Sequence, residues 1–210
     1  SGANINFDRL RFVAERADIG SNREAVYAVT IPERPGMFRK FIEVLGVRQI
    51  TEFNYRYADP QQAQIYVGVE VGGRTQRVQV LEEIIAAGFS ALDMTDSEIA
   101  KSHLRHMVGG RLPQKINHNK NTNFQELLYR FEFPERPGAL INFLNNMKSN
   151  WSISVFHYRN YGADVGKIVI GVLIDKNEII EWNKFVRILG YKFWDETQND
   201  TYRLFLSASD

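Results

Sequence analysis

PERPGMFRKFIEVLG occupies residues 32–46, and PERPGALINFLNNMK occupies residues 134–148. The two stretches align at an offset of 102, and the match continues beyond them. ITEFNYRYA (50–58) faces ISVFHYRNY (153–161), and IYVGVEV (65–71) faces IVIGVLI (168–174), both at an offset of 103. GFSALDMTD (88–96) faces GYKFWDETQ (190–198), back at 102. Four matched segments in one order, with single-residue slips between them, mark an internal repeat. Two copies make a duplicated domain.

Each copy carries the same element pattern. AVYAVTI (25–31) and LLYRFEF (127–133) read as strands. PERPG stops each strand, and Pro35 and Pro137 suit a first helical turn. Phe38, Phe41, Ile42 and Leu45 then recur at helical spacing, as do Leu140, Phe143, Leu144 and Met147. Two strands follow, joined by turns at Asp59-Pro60 and Tyr161-Gly162. A second helix buries Val78, Leu81, Ile84 and Ile85 in copy one, and Ile179, Trp182, Phe185, Val186 and Leu189 in copy two. A last strand closes each unit. The order β-α-β-β-α-β predicts an α+β fold of two ferredoxin-like subdomains, with antiparallel sheets and helices on one face. The other face, or a sheet edge, is left for the sister copy or another chain. The expected boundaries are a connector at 1–22, subdomain one at 23–97, a linker at 98–124 and subdomain two at 125–210. TYRLFL (201–206) reads as an added edge strand.

Composition narrows the function classes. The 210 residues are 44% hydrophobic and 12% aromatic, enough to fill a core in both halves. Net charge is +1, which gives no reason to expect nucleic acid or another polyanion. Phe53, Tyr55 and Tyr57 share one strand face, but the signature of an RNA-stacking sheet is absent. There is no cysteine, so disulfides and thiol chemistry are excluded and a cytoplasmic setting fits. No apolar run approaches the roughly 20 residues of a membrane span. No N-terminal segment reads as a signal peptide, and Ser1 in place of Met points to a piece of a longer protein. No Gly-rich phosphate loop, GxSxG, HExxH or paired CxxC is present. His103 and His106 read as surface or packing histidines, not metal ligands.

The PERPG loop admits two readings. It is a good strand-to-helix turn. It also offers what a free aliphatic amino acid requires. Gly36 and Gly138 permit close approach to the backbone, and the following helix N-terminus favours a carboxylate. Glu33 and Glu135 answer an ammonium group. Met37-Phe38 and Ala139-Leu140 line an apolar wall.

PERPG before an amphipathic helix in such a unit resembles the amino-acid-binding ACT domain. The run VTIPERPGMFRKF, TEFNYRYAD, IYVGVEV, MVGGR, FEFPERPGALINFLN and FHYRNYGADVGK resembles more particularly the C-terminal regulatory region of the biosynthetic threonine dehydratase (threonine deaminase) family. SGANINFDRLRFVAER resembles the connector leading out of that family's catalytic domain. The resemblance covers essentially the whole chain. It implies two ACT-like subdomains side by side, isoleucine as feedback inhibitor and valine as activator. It implies a separate catalytic domain carrying pyridoxal phosphate, a tetrameric parent enzyme, and no cofactor or catalysis in this chain. It ties Tyr55 and Tyr158 to effector binding, and Leu140, Leu144 and Met147 to feedback sensitivity. The copies differ where Asn54 faces His157 and Met37-Phe38 faces Ala139-Leu140, which predicts a roomier second pocket and unequal sites. Two further readings stand beside this one. They are a dimerisation module with vestigial pockets and a small ferredoxin-like enzyme.

Overall fold

The computed structural model describes residues 23–103, 123–134, 138–148, 150–160 and 165–206. Copy one contains β1 (Glu24–Pro32), α1 (Met37–Leu45), β2 (Ile50–Arg56), β3 (Gln62–Glu70), α2 (Arg74–Ala86) and β4 (Ser90–Asp93). A short α3 (Glu98–Ser102) follows. Copy two contains β5 (Phe124–Pro134), α4 (Ala139–Asn146), β6 (Ser152–Arg159), β7 (Val165–Asp175), α5 (Ile179–Leu189) and β8 (Lys192–Asp195), then α6 (Asp200–Phe205). The expected β-α-β-β-α-β order is therefore present twice.

The copies join at a sheet edge. β2 pairs antiparallel with β6, and the result is one eight-stranded sheet in the order β4-β1-β3-β2-β6-β7-β5-β8. The seam pairs each copy's tyrosine with the other's phenylalanine, Tyr55 with Phe156 and Phe53 with Tyr158. It is extended by matching backbone bonds, Tyr57 N–H to the Ser154 carbonyl at 2.7 Å and Asn160 N–H to the Thr51 carbonyl at 2.8 Å. Strand alternation sends Ala25, Tyr27, Val29 and Ile31 to the helix-covered face, where they are buried. Phe38 spans the seam there, its ring centroid 5.3 Å from Phe53 and 5.6 Å from Phe156. The opposite face carries two small apolar clusters, Val26–Tyr66–Ala100 and Leu128–Val155–Tyr202. Short helices α3 and α6 supply Ala100 and Tyr202 to them.

Three local readings need correction. The helices begin at Met37 and Ala139, beyond the prolines, because Gly36 and Gly138 hold φ of 85° and 84°, a left-handed conformation that only glycine adopts without strain. In α2 the buried residues are Val80 and Ile84, whereas Val78 and Ile85 are 45% and 51% exposed. Arg77 ties this helix to the sheet: it pairs with Asp93 at 2.5 Å, and its carbonyl accepts the Tyr27 hydroxyl at 2.7 Å. TYRLFL is not an edge strand. It lies in α6, because Asn199 caps a helix there, accepting the Thr201 N–H at 2.8 Å. A helix read in the sequence from Ile99 through Leu104 to Met107 is present over Glu98–Ser102, and Leu104 and Met107 lie outside the described residues. Residues 1–22, 104–122 (with His106), 135–137 (with Glu135) and 161–164 lie outside the described residues.

Candidate functional site

A cleft of about 520 Å³ opens where the two copies meet. Copy one supplies its PERPG loop, with Glu33, Arg34 and Gly36, followed by Phe38, Arg39 and Tyr55. Copy two supplies the far end of α4 and the start of β6, with Leu144, Met147, Trp151 and Ile153. The site is therefore composite. A second, matching cleft pairs the loop of copy two with the helix end of copy one. Pro134, Gly138, Ala139, Leu140 and Tyr158 meet Arg48, Gln49 and Ile50 there, around a volume of about 50 Å³. The roomier pocket is thus the first, contrary to the reading of Ala139-Leu140 against Met37-Phe38. A cleft has two walls. Arg48 from copy one and Phe133 and Phe156 from copy two also line the small second cleft.

The sequence-derived candidates divide accordingly. Glu33, Gly36, Phe38, Tyr55, Leu144 and Met147 line the first cleft. Gly138, Ala139, Leu140 and Tyr158 line the second. Met37 packs against the core and lines neither. Asn54 and His157 face each other across the seam on the opposite side of the sheet from Tyr55 and Tyr158, since adjacent strand residues point to opposite faces. Asn54 is buried there, its Nδ2 donating to Glu52 Oε1 at 3.0 Å, and His157 is exposed. Glu135 is outside the described residues.

Arg39, Trp151 and Ile153 were not among the candidates. Arg39 reaches from α1 to the end of α4 and donates to the carbonyls of Leu144 at 2.6 Å and Met147 at 3.2 Å. These carbonyls lie at the C-terminal end of a helix, where Leu144 also accepts the Met147 N–H at 3.2 Å, and a cation suits the negative end of the helix dipole. Ile141 stands at the matching place in copy two, and the repeat alignment already shows that contrast. Trp151 is fixed by its Nε1, which donates to Glu178 at 3.3 Å, and by the Trp182 ring 5.2 Å away.

The polar end of the cleft centres on Tyr55. Its hydroxyl lies 2.6 Å from Glu33 Oε1 and 3.1 Å from the Ile153 carbonyl. One proton faces two acceptors, one from each copy. Burial pushes the Glu33 carboxyl above its ordinary value, although the Tyr55 hydrogen bond works against the shift. Burial also pushes the Tyr55 phenol well up, so the ring stays neutral. A raised acid pKa means that the folded chain holds the Glu33 proton more tightly than the unfolded chain does. This contribution favours the fold below the raised value and is withdrawn as pH rises through it. An ammonium ligand instead requires ionised Glu33. Ammonium-ligand affinity is therefore expected to fall from neutral to mildly acidic pH, and Glu33→Gln to flatten that dependence; titration calorimetry across the range checks both.

Lys148 also lines the cleft but is engaged by Glu178 at 3.5 Å and by Glu181. Among the described residues no helix is long and apolar enough to cross a membrane.

Comparison with known proteins agrees with the architecture. The family model "C-terminal regulatory domain of Threonine dehydratase" matches residues 15–104 and 119–206. The chain is 49% identical over 207 residues to an L-threonine dehydratase biosynthetic IlvA of Burkholderia multivorans, covering 99% of this chain and 39% of that protein. It is 46% identical over 209 residues to the Escherichia coli protein of the same name, with the same two coverages. It is 43% identical over 215 residues to a mitochondrial threonine dehydratase of Saccharomyces cerevisiae, covering 98% of this chain and 36% of that protein. The chain thus spans about two-fifths of the length of these relatives. Duplicated ACT-like units, a cleft built from both of them and a match along both repeats together place the chain in the family of C-terminal regulatory domains of biosynthetic threonine dehydratase.

Proposed function

We propose that the first cleft binds a free branched-chain amino acid, isoleucine as the feedback inhibitor and valine as the opposing activator. The chain then conveys occupancy to the catalytic part of its parent enzyme, a tetrameric, cytoplasmic, pyridoxal phosphate-dependent threonine ammonia-lyase. The cofactor and the reaction belong to that part, and this chain is non-catalytic. The observation that carries the reading is the cleft itself. It combines an acidic, hydrogen-bonding end at Glu33 and Tyr55 with an apolar wall of Phe38, Leu144, Met147 and Ile153. Its volume is in the range of small-molecule sites. The ammonium group goes to Glu33 and the aliphatic chain to the wall. The Tyr55 hydroxyl, held between Glu33 and the Ile153 carbonyl, aims the carboxylate at the ammonium group, so the grip on the ligand depends on a bond across the seam. Isoleucine and valine differ by one methylene, worth about 1–3 kcal/mol in a pocket. Their opposite effects then require unequal preference for two domain states.

Calorimetric titration with L-isoleucine, L-valine and L-threonine tests the reading. Saturable isoleucine binding tighter than threonine is expected, with one strong site per chain. Tyr55→Phe is expected to weaken isoleucine about 3- to 10-fold, the range of one modest hydrogen bond. A folded chain that binds none of the three refutes the effector role. The exposed Ile180 and Ile188 on α5, 69% and 84% accessible, would then favour an assembly module with vestigial pockets. Sedimentation across a concentration series would reveal its self-association.

A further inference from the structure

The face of the sheet opposite the cleft holds a buried carboxylate, Glu126, gripped by side chains of β2, β6 and α6. β2 and β6 each present two consecutive residues to this arrangement. On the cleft side, the Tyr55 hydroxyl lies 3.1 Å from the Ile153 carbonyl. On the opposite side, the next residues, Arg56 and Ser154, both bind Glu126 of β5. Arg56 Nη1 donates to Glu126 Oε1 at 2.6 Å, and the Ser154 hydroxyl donates to the same oxygen at 2.5 Å. The other oxygen accepts the Tyr202 hydroxyl at 2.6 Å. Arg56 also donates to the Leu206 carbonyl at 2.6 Å.

The clamp sits at an irregular point. The β6–β7 register shifts between Ile153 and Val155, so β6 bulges where the Ile153 carbonyl must meet Tyr55. A bulge re-aims the groups around it and needs something to hold its direction. Ser154 lies within it, fully buried. The space beside it is tight, since a Cβ on Gly171 would come within 2.8 Å of the Ser154 hydroxyl. Copy one repeats the device, with Thr51 donating to Glu24 at 2.5 Å beside Gly68.

We propose that Glu126, with Arg56 and Ser154, is the positioning element of the amino-acid cleft. It fixes the β6 bulge so that the Ile153 carbonyl and Glu33 share the Tyr55 hydroxyl. None of the three touches the ligand. The inference rests on the cleft being the effector site, and its test separates the two claims. Isoleucine affinity and urea stability are measured for the 210-residue chain and for Ser154→Ala, Ser154→Thr, Tyr55→Phe and the Ser154→Ala/Tyr55→Phe pair. Ser154→Ala is expected to weaken isoleucine about 3- to 10-fold. Ser154→Thr, which keeps the hydroxyl in the form copy one already uses, restores the affinity. In the Tyr55→Phe background the Ser154→Ala loss disappears, because there is no phenol left to position. A merely structural serine would lower stability in both backgrounds and leave affinity alone. Independent, additive affinity losses, or wild-type affinity in Ser154→Ala, overturn the clamp while leaving the effector site standing. Absence of isoleucine binding to the unmodified chain overturns the effector reading, and the clamp assignment falls with it.

Discussion

Glu126→Ala is expected to lower the unfolding free energy by about 3–5 kcal/mol, the range for removing one partner of a buried ion pair. The side chains of Arg56 and Glu126 are only 1% and 4% exposed. Removing the carboxylate strands a buried guanidinium between the copies and leaves the hydroxyls of Ser154 and Tyr202 without their acceptor. Each unmet buried group adds its own desolvation cost. Urea unfolding followed by circular dichroism measures the loss. Replacing both members, Arg56→Met with Glu126→Leu, is expected to recover most of it, since apolar pairs of similar volume often match a buried ion pair. A double variant as unstable as the sum of the singles would refute the account of the pair as one unit.

The second large effect belongs to Trp182→Ala, again about 3–5 kcal/mol, the range for truncating a buried tryptophan. Trp182, on the inner face of α5, is fully buried. Its ring centroid lies 5.2 Å from Trp151, 5.5 Å from Tyr129 and 5.4 Å from Phe185. The cavity left behind borders Trp151, which forms a wall of the cleft. Isoleucine affinity is therefore expected to fall together with stability. Trp182→Phe, which leaves a smaller void, falls between. A loss below about 1.5 kcal/mol for the alanine variant would mean that the surrounding rings collapse into the space.

The repeat made most of the fold legible. Strand alternation, the PERPG stops and the helical spacing of Phe38, Phe41, Ile42 and Leu45 are local signals, and each holds in the structure. The misreadings arise where a tertiary or capping term wins. Val78 and Ile85 look like core residues in a helical window, yet they face outward in a helix tied to the sheet by the Arg77–Asp93 pair. TYRLFL alternates like a strand, but the preceding Asn199 and Asp200 carry a helix-start signal that outweighs the alternation. The cleft was half legible. Glu33, Phe38 and Tyr55 were reachable because they sit on one loop and the next strand. That Leu144 and Met147 face the loop of the other copy was not legible, because nothing in a linear sequence says that β2 will pair with β6. Arg39 was hidden for the same reason, since its acceptors are more than a hundred residues away.

The self-matching β2–β6 seam has a consequence for how the halves could change. Two separate copies meeting along this edge would form a twofold homodimer, and both clefts would then be identical by symmetry. Every substitution would appear in both, and unequal occupancy would have no structural basis in the sequence. Joined in one chain, the halves mutate independently. Arg39 against Ile141, and a roomy cleft against a small one, are differences that a dimer of identical chains cannot encode. Fusion released each half from being its partner's mirror.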